Sequence, residues 1–342
     1  MLFAILSPCS DGMLCIKMKT TAISAMPVGM REKREVKSME QQKELRQSKE
    51  RIQHKEQIQH KERNEMAEAS KAMDARDARD AKEMPEIIRS ELKRLEQEED
   101  IRILYACESG SRAWGFPSQD SDYDVRFIYI RRPEWYLSIF DKRDVIERPI
   151  TDKLDLSGWD LSKALMLYRK SNPPLLEWLQ SPLSYLEVFS VAQSLRDMSP
   201  LAFAPKSCLY HYLNMARGNF RTYLQGEKVR LKKYFYVLRP VLACQWILER
   251  GTMPPIQFDV LVETLLPQTG ELREAVEDLL VRKKRGDELD EEPQLTVINR
   301  YLAEQLAQLE QKTAAVPPAP ESIDERLDAL FRSALQEAWS AN

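Results

Sequence analysis

The chain has 342 residues, 43% of them hydrophobic, which is enough for two domains of ordinary size with real cores. Its formal net charge of −3 excludes a global basic field of the kind that announces nucleic acid, although a local basic patch is compatible with it. Five scattered cysteines without a Cys-x-x-Cys pair argue against a zinc site and a disulfide framework and point to a reducing compartment. The histidines, His54, His60 and His211, leave Ser-His and His-metal schemes without a partner between residues 61 and 210.

The chain opens on Met1-Leu-Phe-Ala-Ile-Leu, an apolar stretch too short for a secretory core and without a basic leader. No apolar run approaches the roughly 18 residues of a membrane span, so the expected location is the cytoplasm, with no membrane partner. Residues 31–83 are dense in Lys, Arg, Glu and Gln, with a duplicated Ile-Gln-His-Lys-Glu at 52 and 58. Helix propensity is high there, yet Ile52, Ile58 and Met66 make no sustained heptad. Residues 1–83 are therefore expected to be a disordered or solvated helical arm. The alternatives are an arm that contacts a protein partner, or a later start at Met66 or Met84.

Order is expected from Pro85. Ile87, Ile88, Leu92 and Leu95 give Glu86 to Gln97 the spacing of an amphipathic helix, which leads into an apolar strand, Ile101 to Cys107. A Gly110-Ser111 turn with a short helix follows, then Asp122-Tyr-Asp124 entering the strand Val125 to Ile130, a short helix near Pro133, a strand from Val145 to Ile150, and Leu154-Asp-Leu156. From Asp160 the pattern is helical: 160–170, 173–180, 186–197, 206–225, 233–249, 257–265, 271–285 and 293–312. Val316-Pro-Pro-Ala-Pro320 reads as a stiff linker before a last helix, 321–341. The expected fold is α+β, a small mixed-sheet domain over 84–160, an all-α domain over 161–312, and a linker with a C-terminal helix over 313–342.

The chemistry concentrates in residues 108–125. Glycine at 110 lets backbone N–H groups approach an anion closely. Asp122 and Asp124, two apart at the head of a strand, share one side of it. Two carboxylates beside an anion-binding turn are what metal-assisted phosphoryl transfer requires, since oxygen ligands hold the ion and the ion neutralises phosphate. A solvated turn or cap is the competing reading of so much aspartate. A calcium loop starting at Asp120 fails, because Val125 and Arg131 fall where Gly and Glu are required.

On these residues the chain resembles the nucleotidyltransferase superfamily that includes DNA polymerase beta, whose signature is Gly-Ser, about ten residues, then Asp-x-Asp. It more closely resembles the nucleotidyltransferases associated with bacterial RNA-repair operons. The shared motifs are Gly-Ser-Arg-Ala-Trp-Gly-Phe (110–116), Ser-Asp-Tyr-Asp-Val-Arg-Phe (121–127), Leu-Asp-Leu-Ser-Gly-Trp-Asp (154–160) and Ser-Asn-Pro-Pro (171–174). Ser109 departs from the apolar residue usual before the glycine. The resemblance covers about residues 84–312 and makes 84–160 the catalytic domain.

It implies a third carboxylate between residues 141 and 160. Asp155, flanked by leucines, suits the open face of a buried strand, whereas Asp160 precedes a helical run and looks like an N-cap. The expected metal and catalytic residues are Asp122, Asp124 and Asp155, holding Mg²⁺ or Mn²⁺. Gly110, Ser111 and Arg112 are expected at the phosphates of an NTP. Arg126 lies close enough to pair with the carboxylates. Related enzymes grip the triphosphate with Lys and Tyr from a helical domain, which nominates Lys232, Tyr236 and Arg239, at i, i+4 and i+7 of one helix, facing the cleft. Trp114, Trp159 and Trp178 read as core.

The implied activity is transfer of an NMP from an NTP to an acceptor hydroxyl, with an RNA end as the acceptor suggested by the family. Nucleotidylation of a protein or of a small molecule is the alternative within this class. An inactive interaction protein is the alternative from another.

Overall fold

The helix over residues 83–99 (α1) turns Ile88, Leu92 and Leu95 inward and leaves Ile87 exposed, so three of four spaced apolar residues make its buried stripe. It lies across a five-stranded sheet made of β1 (Ile101–Glu108), β2 (Tyr123–Arg131), β3 (Val145–Glu147), β4 (Leu154–Asp160) and β5 (Ser184–Glu187), in the order β3-β4-β2-β1-β5. The β2–β4 pair is parallel and the others antiparallel, which makes the sheet mixed and the fold α+β. This computed structural model describes residues 83–118, 121–148, 153–286, 291–317 and 322–340. The expected arm over 1–83, but for its last residue, and most of the proline-rich stretch lie outside them. Everything described belongs to one compact unit.

Alternation along the central strands assigns each face. Val125, Phe127 and Tyr129 of β2, with Leu154 and Leu156 of β4, join α1 in one core cluster. Ile128 and Ile130 point the other way, into a larger core shared with the helices. Asp124 and Arg126 are in phase with Ile128, so the polar head of β2 opens toward the helical layer.

That layer comprises α4 (Leu161–Arg169), α5 (Pro173–Leu179), α6 (Val191–Ala202), α7 (Pro205–Tyr223), α8 (Phe235–Arg250), α9 (Phe258–Leu265), α10 (Glu271–Arg285), α11 (Thr296–Ala314) and α12 (Asp324–Trp339). The side chain of Asp160 caps α4 by accepting from the amide of Ser162 at 2.9 Å, the role its position suggests. Pro240 sits inside α8, where it can offer no N–H to the carbonyl of Tyr236 four residues back. Asn219 of α7 donates to that carbonyl instead, at 3.1 Å. None of the described helices is long and apolar enough to cross a membrane.

Two differences from the sequence expectation concern short strands. Ser184–Glu187, expected in part as the start of a helix, is the edge strand β5, and helix α6 begins only at Val191. Lys228–Arg230 (β6) and Glu291–Pro293 (β7) pair antiparallel. Three or four residues carry no readable alternation, so long-range pairing decides them.

Candidate active site

Parallel pairing of β2 with β4 sets Asp124 directly beside Asp155. Both carboxylates are roughly two-thirds buried, and Arg126 bridges them: its Nη2 donates to Asp124 Oδ1 at 3.1 Å and to Asp155 Oδ2 at 2.9 Å. Burial raises the pKa of the Asp124 carboxyl; Arg126 opposes that shift, and the charges of Asp155 and Asp122 add to it. Asp122 stands exposed before β2 begins.

Gly110 opens the one-turn helix α2 (Gly110–Ala113) at φ +61°. A Cβ on it would lie 2.0 Å from Asp124 Oδ2, so only glycine allows this turn to close over the aspartate. The turn is tied to β2 by the Ser109 amide, which donates to the Asp124 carbonyl at 2.8 Å. Ser111 Oγ donates to Ser121 Oγ at 3.1 Å, and the Ser118 hydroxyl lies 3.0 Å from the same atom. Lys283, near the end of α10, donates to the Ser118 hydroxyl at 2.8 Å, bringing a cation from the helical layer to the turn. Arg112 bends back along β2. Its guanidinium donates to the carbonyls of Ser121 (2.8 Å) and Asp122 (3.3 Å) and stacks 3.7 Å from the Tyr123 ring centre.

Behind the aspartates lies a group that sequence reasoning missed. Glu108, last residue of β1, is fully buried, accepts from the Asp124 amide at 2.8 Å and takes the Tyr185 hydroxyl of β5 on its other oxygen. Burial pushes its carboxyl up to about 7, against the lowering effect of both hydrogen bonds. A charged residue ending an apolar run was the available signal. Nothing local marks Tyr185.

The helical wall corrects part of the expectation. Helix α8 begins at Phe235, and Lys232 lies on a preceding 3₁₀ turn, Leu231–Tyr234, so the i, i+4, i+7 face does not exist as drawn. Lys232 is exposed. Arg239 is 2% exposed and pairs with Glu177 of α5 at 2.9 Å, while Glu177 also accepts from Tyr212 at 2.5 Å. Its charge is compensated in the core and does not face the cleft. Tyr236 does: its phenol is raised by burial and then by the charge of Asp124. The ring packs edge-on to Trp114 at 6.2 Å, and Lys233, part of the same basic stretch of sequence as Lys232, lies 5.0 Å from the Tyr236 ring centre and 4.2 Å from that of Tyr223. Trp114 and Phe116 dock the turn on the helices, Phe116 stacking on Phe235 at 4.7 Å, and Trp159 stacks on Trp178 at 3.9 Å.

Carboxylate oxygens on adjacent strands, Asp124 beside Asp155, are donors that fit a hard divalent ion. Asp124 and Asp155 are the residues that would hold it. No cluster of three metal-binding side chains occurs among the described residues, so the structure does not bring Asp122 in with the other two.

A glycine-serine turn closed over paired aspartates, within this α+β fold, places the chain in the class of nucleotidyltransferases. More particularly, the chain belongs to the RNA repair pathway DNA polymerase beta family, RlaP, whose sequence profile matches residues 84–333. It is 51% identical over 256 residues to the uncharacterized protein YcgL of Bacillus subtilis (strain 168), covering 75% of this chain and 98% of that one. Among solved structures it is similar to a nucleotidyltransferase-like protein from Exiguobacterium sibiricum 255-15. The identity is 14% and the TM-score 0.24, over 73% of this chain and 88% of that one.

Proposed function

We propose that the protein transfers a nucleoside monophosphate from an NTP to an acceptor hydroxyl, with Mg²⁺ or Mn²⁺ as cofactor. The observation that carries this is the placement of Asp124 beside Asp155 under the Gly110 turn. In the reaction the acceptor hydroxyl gives up its proton to a site carboxylate or to solvent, its oxygen bonds to the α-phosphorus, the bond from that phosphorus to the bridging oxygen breaks, and pyrophosphate leaves with the electron pair. A divalent ion at the aspartates supplies neutralisation of the polyphosphate and polarisation of the hydroxyl. Asp124 and Asp155 are its ligands, with Asp122 at the rim as a third carboxylate. Gly110 and Ser111 give the phosphates close access to the backbone and a hydroxyl. Arg112 holds the Ser121–Asp122 segment through its carbonyls and adds positive charge beside the turn. Tyr236 forms the opposite wall.

The acceptor we propose is an RNA end, on the strength of the family's description as an RNA repair pathway family. The experiment is incubation with each labelled NTP, Mg²⁺ or Mn²⁺, and separate pools of RNAs, proteins and small molecules. Label should enter RNA and should be abolished by Asp124→Asn or Asp122→Asn in proteins that keep their thermal midpoint. Label in protein or a small molecule would move the acceptor. No label with any pool, or retained activity in the Asn variants, would remove the proposed chemistry in favour of an inactive interaction protein or a different centre.

A further inference from the structure

The guanidinium of Arg126 is held by more than its two carboxylates. Nη1 donates to the Val125 carbonyl at 3.1 Å and to the Asp155 carbonyl at 3.4 Å, while Nη2 takes one oxygen from each of Asp124 and Asp155. The side chain is 20% exposed, so this is an ordered arrangement of four oxygens around one cation. An arginine does not lose its charge by titration in a protein, so this positive charge is permanent. It engages Oδ1 of Asp124 and Oδ2 of Asp155, oxygens a divalent ion shared by the two residues would draw on.

We propose that Arg126 is a resident counter-ion that competes with the divalent metal for Asp124 and Asp155, so that the nucleotide-free protein binds metal weakly and the site loads only as the guanidinium is displaced. The inference rests on the metal-dependent reading above and goes beyond it. Two physical facts support it. Lone pairs committed to N–H donors are withdrawn from a metal, and a guanidinium a few ångströms from a divalent ion repels it. Displacement needs a new anionic partner for the arginine, and polyphosphate is the anion the proposed reaction brings to this cleft. Guanidinium matches phosphate oxygens in geometry as well as charge. Anchored on β2 two residues beyond Asp124 and opposite Ser157, Arg126 has only to change rotamer to leave the carboxylates and stay in the cleft. Metal and nucleotide would then bind cooperatively, each improving the other's affinity by the same factor. Arg126 is thus a positioning residue whose effect runs through the two carboxylates.

The test is Mn²⁺ binding, read from the free-ion electron paramagnetic resonance signal, for the wild type, Arg126→Gln and Arg126→Lys, each with and without a non-hydrolysable NTP analogue. Thermal midpoints are measured in parallel. Without nucleotide, Arg126→Gln should bind Mn²⁺ at least about tenfold more tightly than the wild type, a difference of about 1.4 kcal/mol. Its cooperativity with the analogue should shrink correspondingly. Arg126→Lys, which keeps the charge but cannot make all four contacts at once, should fall between them. If Arg126→Gln leaves two repelling carboxylates that lower its midpoint, Mn²⁺ should restore that midpoint by more than it raises the wild type's, and Arg126→Lys supplies the affinity comparison. Metal binding that is unchanged or weaker in both variants overturns the proposal alone. Failure of wild type and variants to bind Mn²⁺ with or without nucleotide overturns it together with the metal-dependent reading.

Discussion

Single positions around the aspartates carry unusual constraints, and two of them make predictions. Gly110 combines a positive φ with a forbidden Cβ, 2.0 Å from Asp124 Oδ2. Gly110→Ala should cost about 1–3 kcal/mol of stability through backbone strain and should displace the Asp124 carboxylate, so that Mn²⁺ binding and label transfer fall together. Unchanged metal binding in a folded Gly110→Ala protein would contradict that geometry. Glu108 predicts a pH dependence. Its folded pKa of about 7 stands above the ordinary 4.5, so between those values the folded protein holds a proton that the unfolded chain has released. The contribution of Glu108 to stability therefore falls as pH rises through this window, and the loss is complete above it. Glu108→Gln keeps an oxygen for the Asp124 amide and removes the titration. Relative to the wild type, the variant should gain up to roughly 3 kcal/mol between about pH 4 and pH 8. Urea unfolding at several pH values checks it, and a flat difference would show Glu108 ionised throughout.

Among the elements, α8 shows how a plausible surface patch becomes core. Lys232 and Arg239 were expected to act together on a nucleotide, but Lys232 precedes α8 on the 3₁₀ turn and Arg239 is neutralised by Glu177. Arg239→Met should therefore destabilise the fold by about 3–5 kcal/mol, since it leaves a part-buried carboxylate without its cation. Lys232→Ala should change neither stability nor nucleotide requirement. Adding Glu177→Gln to Arg239→Met should recover part of the loss, and a double-mutant cycle in urea measures the coupling. No recovery would mean that Arg239 matters for its volume alone. Asn219→Ala, which deprives the Tyr236 carbonyl of its donor, should cost about 1 kcal/mol and loosen a tyrosine that faces Asp124.

The molecule as a whole has two ends of opposite expected importance. Residues 1–83 lie almost wholly outside the described structure, offer no sustained apolar face in sequence, and precede the family match at residue 84. A protein beginning at Met84 should fold and act per molecule like the full chain; loss of either would give the arm a packing role. The C-terminal helix is the contrary case. Arg169 meets Asp324 through two hydrogen bonds of 2.6 and 2.7 Å, Phe331 packs edge-on to Tyr136 at 5.0 Å, and Trp339 lies under Arg132 at 4.3 Å. Leu327, Leu330 and Ala334 complete the main core. Ending the chain after Val316 should therefore lower the thermal midpoint by about 10 °C or more, through the lost burial of those side chains.

What could be read from the amino acids alone was what depends on neighbours in the chain. Alternation in β2 and β4, the glycine-serine turn, the apolar stripe of α1 and the cap at Asp160 are local patterns, and they mark where the turn and the aspartates lie along the chain. Three-dimensional packing settled the rest. Asp124 stands beside Asp155 because β2 and β4 pair in parallel in one register, and the buried Glu108 is closed by Tyr185, 77 residues away. Arg239 is core because Glu177, 62 residues earlier, meets it there. A side chain's environment depends on contacts between distant segments, and neither periodicity nor spacing records which distant segment will arrive.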